Sequence, residues 1–204
     1  MSLQEDAMKK SLIGIALFLC VIIPLPVFAG VPLDTVKTHV DKVLEVLRDP
    51  SLKAESSKKL KKDKICAIAE KMFDFTELSK RTLAQHWSKF TPEQQKEFTS
   101  LYKSLLENTY ADKILLYTDE KILFTKEVPL TEKTAEVQTM VVRSTQETPI
   151  YYRVILKDGT WMVYDVIVEG ISIINNYRSQ FREILVNNPP EYLLETLRKK
   201  VGKA

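Results

Sequence analysis

The chain has 204 residues, with 30 basic and 27 acidic side chains and a net charge of +3. That near-balance excludes the strongly basic footprint of a nucleic-acid binder, and the length suffices for one domain with a sizeable core. Two isolated histidines and two cysteines exclude both a disulfide-stapled scaffold and a metal site with the usual ligand spacing.

At the N-terminus, Met8-Lys9-Lys10 is followed by an almost wholly apolar run over 11–28, and Val27-Phe28-Ala29 offers small residues where a signal peptidase needs them. Residues 1–29 read as an extension and secretory signal peptide cut near Ala29, and 30–204 as a single exported domain. Pro24 and Pro26 argue against an uncleaved anchor. Cys20 leaves with the leader, so the exported chain has no internal disulfide and its core must hold it together. Cys66, beside Ile65 and Ile68, reads as a small core residue. No second apolar span follows.

Helical periodicity appears first over 34–48, where Val36, Val40, Val43, Leu44 and Leu47 form a stripe that ends before Pro50. It repeats over 58–72 with Ile65, Ile68, Ala69 and Met72, and a short helix is expected over 75–83. Thr91-Pro92-Glu93-Gln94 is a helix start with a cap, a proline at the first position and a capping box. That helix is expected to run to about Tyr117.

The period then changes. Four strands are predicted over 121–128, 134–143, 149–157 and 160–168, the last two joined by an Asp158-Gly159 hairpin turn. The turn predicts a register in which Leu156 faces Trp161, Val154 faces Val163, Tyr152 faces Asp165 and Ile150 faces Ile167. Both faces are substantially apolar, so either both are covered or one lines a cavity. Helices over 172–186 and 190–201 close the chain. Helices before and after an antiparallel meander imply an α+β fold, a curved sheet of about four strands packed with N-terminal and C-terminal helices.

Catalytic signals are thin. Gly170-Ile171-Ser172 after a strand is half of a nucleophile elbow, but Ile174 stands where the second glycine belongs. His39 and His86 both precede the serine, so Ser172 reads as a helix cap. His86 reads as a structural histidine with its hydrogen bonds satisfied. Asp165 on an apolar face needs a donor or its pKa rises. It could serve as an acid or base with Tyr152, or be satisfied by Tyr152, a backbone N–H or Arg178. Two basic runs, over 58–64 and 198–200, read as solvated helix faces or as docking sites for anionic lipid or an acidic partner.

Three stretches together resemble the MlaC, or toluene-tolerance, family of periplasmic phospholipid-binding proteins. They are "FDFTELSKRTLAQHW" (73–87), "TPEQQKEFTSLYKSLLENTYADKILLY" (91–117) and "YDVIVEGISIINNYRSQF" (164–181). The likeness covers roughly 65–201, with a departure at Gln85, where the family often has glycine and a local turn is affected. It implies an α+β fold like the cone of nuclear transport factor 2, with a cavity between sheet and helices for acyl chains. It also implies a non-enzymatic carrier without cofactor, with phospholipid as its cargo. The implied partners are an inner-membrane ABC transporter with an MCE-domain subunit and an outer-membrane lipoprotein–porin complex, with no nucleic acid and the carrier itself a monomer. On this reading the pocket wall comprises Tyr152, Val154, Val163, Asp165 and Ile167, with Ile171, Ile174 and Tyr177. Phe98, Leu105 and Tyr110 face it from the long helix, and Arg178 contacts a phosphate or pairs with Asp165 or Glu169. The rival is an enzyme on a similar cone, using Asp165 and Tyr152 on an apolar small molecule.

Overall fold

The computed structural model describes residues 31–117 and 120–202, so the leader and cleavage site expected from the sequence lie outside the described residues. Helix α1 (Pro32–Arg48) begins on a proline, carries Asp34 in its first turn and Arg48 in its last, and buries Val36, Val40 and Leu47. Helix α2 (Lys58–Met72) follows two short 3₁₀ turns. The chain then extends for two residues into α3 (Phe75–Leu83), where Asp74 accepts the Glu77 N–H at 2.9 Å as the cap and Lys157 Nζ at 2.8 Å. A 3₁₀ stretch, Ala84–Lys89, leads to α4 (Pro92–Ile114), which opens on the expected Thr91/Gln94 capping box. It stops short of Tyr117, because residues 115 and 116 form a turn.

The sheet follows as β1 (Lys121–Thr131), β2 (Thr134–Arg143), β3 (Gln146–Lys157), β4 (Thr160–Val168) and β5 (Ile171–Ser172). All pairs are antiparallel and neighbours in sequence are neighbours in space, giving a curved, unclosed sheet. The fifth, two-residue strand adds to the four expected. Asp158-Gly159 and Glu169-Gly170 each hold two successive positive φ values, the type I′ geometry that matches strand twist in a two-residue hairpin. The second turn folds the chain back onto β4 before Ser172 caps α5 (Ile173–Asn187), and α6 (Pro190–Val201) ends the described chain.

The register of β3 and β4 follows the sequence reading from Lys157↔Thr160 to Val154↔Val163 and then slips. Arg153 pairs with Asp165, Tyr152 with Val166, Tyr151 with Ile167 and Ile150 with Val168. Tyr164 is the extra residue of a β-bulge, and a one-residue slip sends every later side chain of the strand to the opposite face.

Two cores result. The helical one joins α3, α4, α5 and α6 around Phe98, Tyr102, Tyr177 and Phe181, whose rings pack at centroid distances of 5.2 to 5.6 Å. Tyr164 belongs to it, with the Arg81 guanidinium 4.1 Å from its ring centroid. The other packs α1 and Met72 on the sheet through Ala135, Val137, Val154, Trp161 and Val163. The extended residues between α2 and α3 join the two. Phe73 bridges Val163 in parallel, and the Asp74 N–H donates to the Val163 carbonyl at 2.9 Å, so the outer edge of β4 is covered.

Candidate functional site

Between the two cores lies a cavity of about 520 Å³, within the range of roughly 300–1,000 Å³ typical of small-molecule sites. Its walls follow from helical spacing. Val40, Val43, Leu44 and Leu47 of α1 stand at i, i+3, i+4 and i+7, and so do Ile65, Ile68, Ala69 and Met72 of α2. Leu106, Tyr110, Ala111 and Ile114 come from α4. The sheet supplies Ile122, Val141, Ile150, Tyr152, Val166 and Val168. The exposed lining residues Lys113, Glu169, Ile171 and Asn176 mark the mouth, at the end of the sheet where β1 and β3 begin and β2 and β4 finish.

The few polar groups inside are perturbed by their surroundings. Burial pushes the Tyr152 phenol up to about 12, and it also raises the Tyr110 phenol and the Cys66 thiol. Glu107 projects a carboxyl into this apolar wall. Burial raises its pKa, Lys103 at 3.8 Å pulls it down, Glu70 adds to the rise, and the net direction is up. Lys103 is itself bonded to Glu70. Cys66 is therefore a wall residue of the cavity and not the core residue its neighbours in sequence suggest.

Of the predicted wall, Tyr110, Tyr152 and Ile171 line the cavity. Phe98, Leu105, Ile174 and Tyr177 sit in the helical core, and Val154 and Val163 sit in the core between sheet and α1. Ile167 is buried without lining the cavity. The bulge explains the difference on β4, since the slip turns Val166 and Val168 towards the cavity in place of Asp165 and Ile167. The sequence reading also missed the contributions of α1 and α2. Their stripes were visible as stripes, but a core face and a cavity face share one composition.

Asp165 and Tyr152 are not assembled as an acid–base pair. Asp165, 2% exposed, accepts from Ser172 Oγ at 2.7 Å and from the Ile174 N–H at 3.1 Å, with an Arg153 nitrogen at 3.9 Å. Ser172 Oγ in turn accepts the Asn175 N–H at 3.1 Å, which confirms it as the cap of α5. Arg178 pairs with neither Asp165 nor Glu169. Its Nε and Nη2 donate to the Arg81 carbonyl at 3.2 and 2.7 Å, and Nη1 donates to Asn175 Oδ1 at 3.1 Å. A guanidinium on the last turn of α3 satisfies a helix-end carbonyl, and the residue lies away from the cavity. It borders a smaller hollow of about 270 Å³ beside His86. His86 is buried, as its sequence context suggests, but neither ring nitrogen has a partner. Burial, with Lys89 and Arg182 nearby, holds its pKa below the usual value.

Among the described residues no cluster of His, Cys, Asp and Glu is placed to hold a metal ion, and no helix is long and apolar enough to cross a membrane. The fold is shared with the solved structure of a phospholipid-binding protein from Ralstonia solanacearum in complex with a phospholipid. The TM-score is 0.75 at 24% identity, covering 85% of this chain and 98% of the other. In sequence the chain is similar to the toluene tolerance protein Ttg2D of Pseudomonas putida, 27% identical over 177 residues that cover 86% of this chain and 82% of the relative. The family model described as MlaC protein matches residues 37–199, from α1 through α6, and the chain belongs to that family.

Proposed function

We propose that the protein is a periplasmic phospholipid carrier. It holds acyl chains in the cavity between α1, α2, α4 and the sheet, and leaves the head group at the polar mouth. The observation that carries this reading is the cavity itself, walled by apolar side chains from five helices and five strands and open at one end. Moving a lipid through water exposes its chains at about 0.8 kcal/mol per methylene, so a carrier must replace the bilayer with an equally apolar wall. Tyr110, Tyr152 and Ile171 contact the cargo, together with the α1 and α2 stripes. Carriage needs no covalent step.

The leader read from the sequence supports a periplasmic location. Donor and acceptor are an outer-membrane lipoprotein–porin complex and an inner-membrane ABC transporter with an MCE-domain subunit, whose relative affinities and ATP use set the direction of transfer. Native mass spectrometry of the purified protein tests the reading. Phospholipid of one or more head-group classes should co-purify in stoichiometric amount, and a protein that stays empty after incubation with phospholipid would overturn it.

A further inference from the structure

The proposed function leaves unused the lysine run at the start of α2. Between Lys53 and Lys64 the chain carries six lysines against Glu55 and Asp63, a local charge of +4 that exceeds the +3 of the whole protein. The placement works against the helix that bears it. The first turn of α2 holds no acidic residue, and Ser57 makes no capping hydrogen bond. Cations therefore crowd the positive end of the helix dipole.

The run is also tied to the cavity mouth. Lys58, Lys61 and Lys62 stand on the face of α2 that carries Ile65 and Cys66, one and two turns further out. Lys61 Nζ donates to the carbonyl of the cavity residue Leu47 at 3.3 Å. Lys62 pairs loosely, at 3.8 Å, with Asp112, the neighbour of Lys113 at the mouth. Two large apolar side chains stand in solvent at the same end, Ile171 at 65% exposure and Leu116 at 72%, the latter between the wall residues Ile114 and Tyr117.

We infer that this rim is a docking surface for an anionic phospholipid membrane, with the lysines on the head groups and Leu116 and Ile171 dipping between them, so that the cavity opens onto the bilayer. Basic side chains beside isolated exposed apolar ones make up an interfacial membrane-binding surface. A protein interface would instead gather its apolar side chains into one continuous buried centre. The surface stands on charge and exposure, and its value to the protein rests on the carrier reading.

Vesicle flotation of the full chain tests it, using vesicles of pure phosphatidylcholine and vesicles that also contain phosphatidylglycerol. Binding should be confined to the anionic vesicles and should weaken as salt is added. The double variant Lys58→Gln, Lys59→Gln should lose about 25-fold in binding, at about five-fold per lysine. Leu116→Ser should weaken binding at every salt concentration. Equal binding to both kinds of vesicle, or an unchanged double variant, overturns the inference. So does absence of vesicle binding, which would reassign the lysines to an acidic protein. Bound lipid is measured by mass spectrometry on the same preparations. Lipid retained without vesicle binding defeats the docking surface alone, and vesicle binding by a protein that never loads lipid defeats the carrier reading alone.

Discussion

Ser172 Oγ donates a hydrogen bond to Asp165 Oδ2 at 2.7 Å, which ties the cap of α5 to the back of β4. With the Ile174 N–H on Oδ1, the carboxylate organises the strand-to-helix junction and does not line the cavity. Asp165→Ala leaves these two donors without their acceptor, and should lower the unfolding free energy by about 2–3 kcal/mol. Asp165→Asn, which keeps an acceptor oxygen, should cost about half as much. Urea unfolding measures both. Bound lipid per folded molecule should be unchanged, and a loss of lipid from fully folded Asp165→Asn would return the residue to the binding site.

Ala69 and Val163 separate cavity from core. Ala69 faces the cavity, so Ala69→Trp fills open space and should reduce co-purifying phospholipid several-fold with the fold intact, as read by mass spectrometry and circular dichroism. Val163 is enclosed between the sheet and α1. Val163→Trp should overpack that core and cost about 1–3 kcal/mol, with any loss of lipid following from unfolding.

Glu107 gives lipid affinity a pH dependence. Burial holds its pKa above the ordinary 4.5, against the pull of Lys103 and with the push of Glu70. A carboxyl whose folded-state pKa is raised takes up a proton on folding within the window above 4.5. Its contribution to stability therefore falls as pH rises through that window. An acyl chain laid against the carboxyl removes more water and favours the neutral form further, so lipid should be held more tightly as pH falls through the same window. Glu107→Leu should bind more tightly at neutral pH by ~1 kcal/mol, about five-fold, and lose the pH dependence. Lys103 keeps Glu70 as its partner. Lipid retention measured across pH on both proteins checks the pair of expectations.

Ala84 closes α3 at φ 48°, ψ −121° and is exposed. That backbone region costs a side-chain-bearing residue about 1–3 kcal/mol, and glycine occupies it freely at the expense of roughly 0.4–1 kcal/mol of unfolded-chain entropy. The strain is the larger quantity, so Ala84→Gly should stabilise the protein by about 1 kcal/mol. The expected result is a raised midpoint in thermal unfolding with lipid content unchanged. The glycine expected by family resemblance at Gln85 thus has its conformational counterpart one residue earlier.

Features written in short range were legible before the structure. The capping box at Thr91 and Gln94, the Asp158-Gly159 turn and the boundaries of α2, α3 and α6 all depend on neighbours in sequence. The register was right as far as the turn could dictate it and failed at Tyr164, because nothing in Tyr164-Asp165 distinguishes a bulged pair from a regular one. What sets the bulge is tertiary: Tyr164 joins the helical core under Arg81, and Asp165 takes the start of α5. The cavity was harder still to place. An alternating strand or a helical stripe says which side chains leave water, but not whether protein or cargo meets them.

Cys66 gives this wall a built-in gauge. It is the one cysteine among the described residues, it faces the space that cargo would fill, and burial already keeps its thiol protonated and slow to react. Any occupant of the cavity competes with a thiol reagent for the same room. The rate at which a small alkylating agent labels the unmodified protein therefore reports the fraction of molecules that are empty, and loading and unloading can be timed without an added probe.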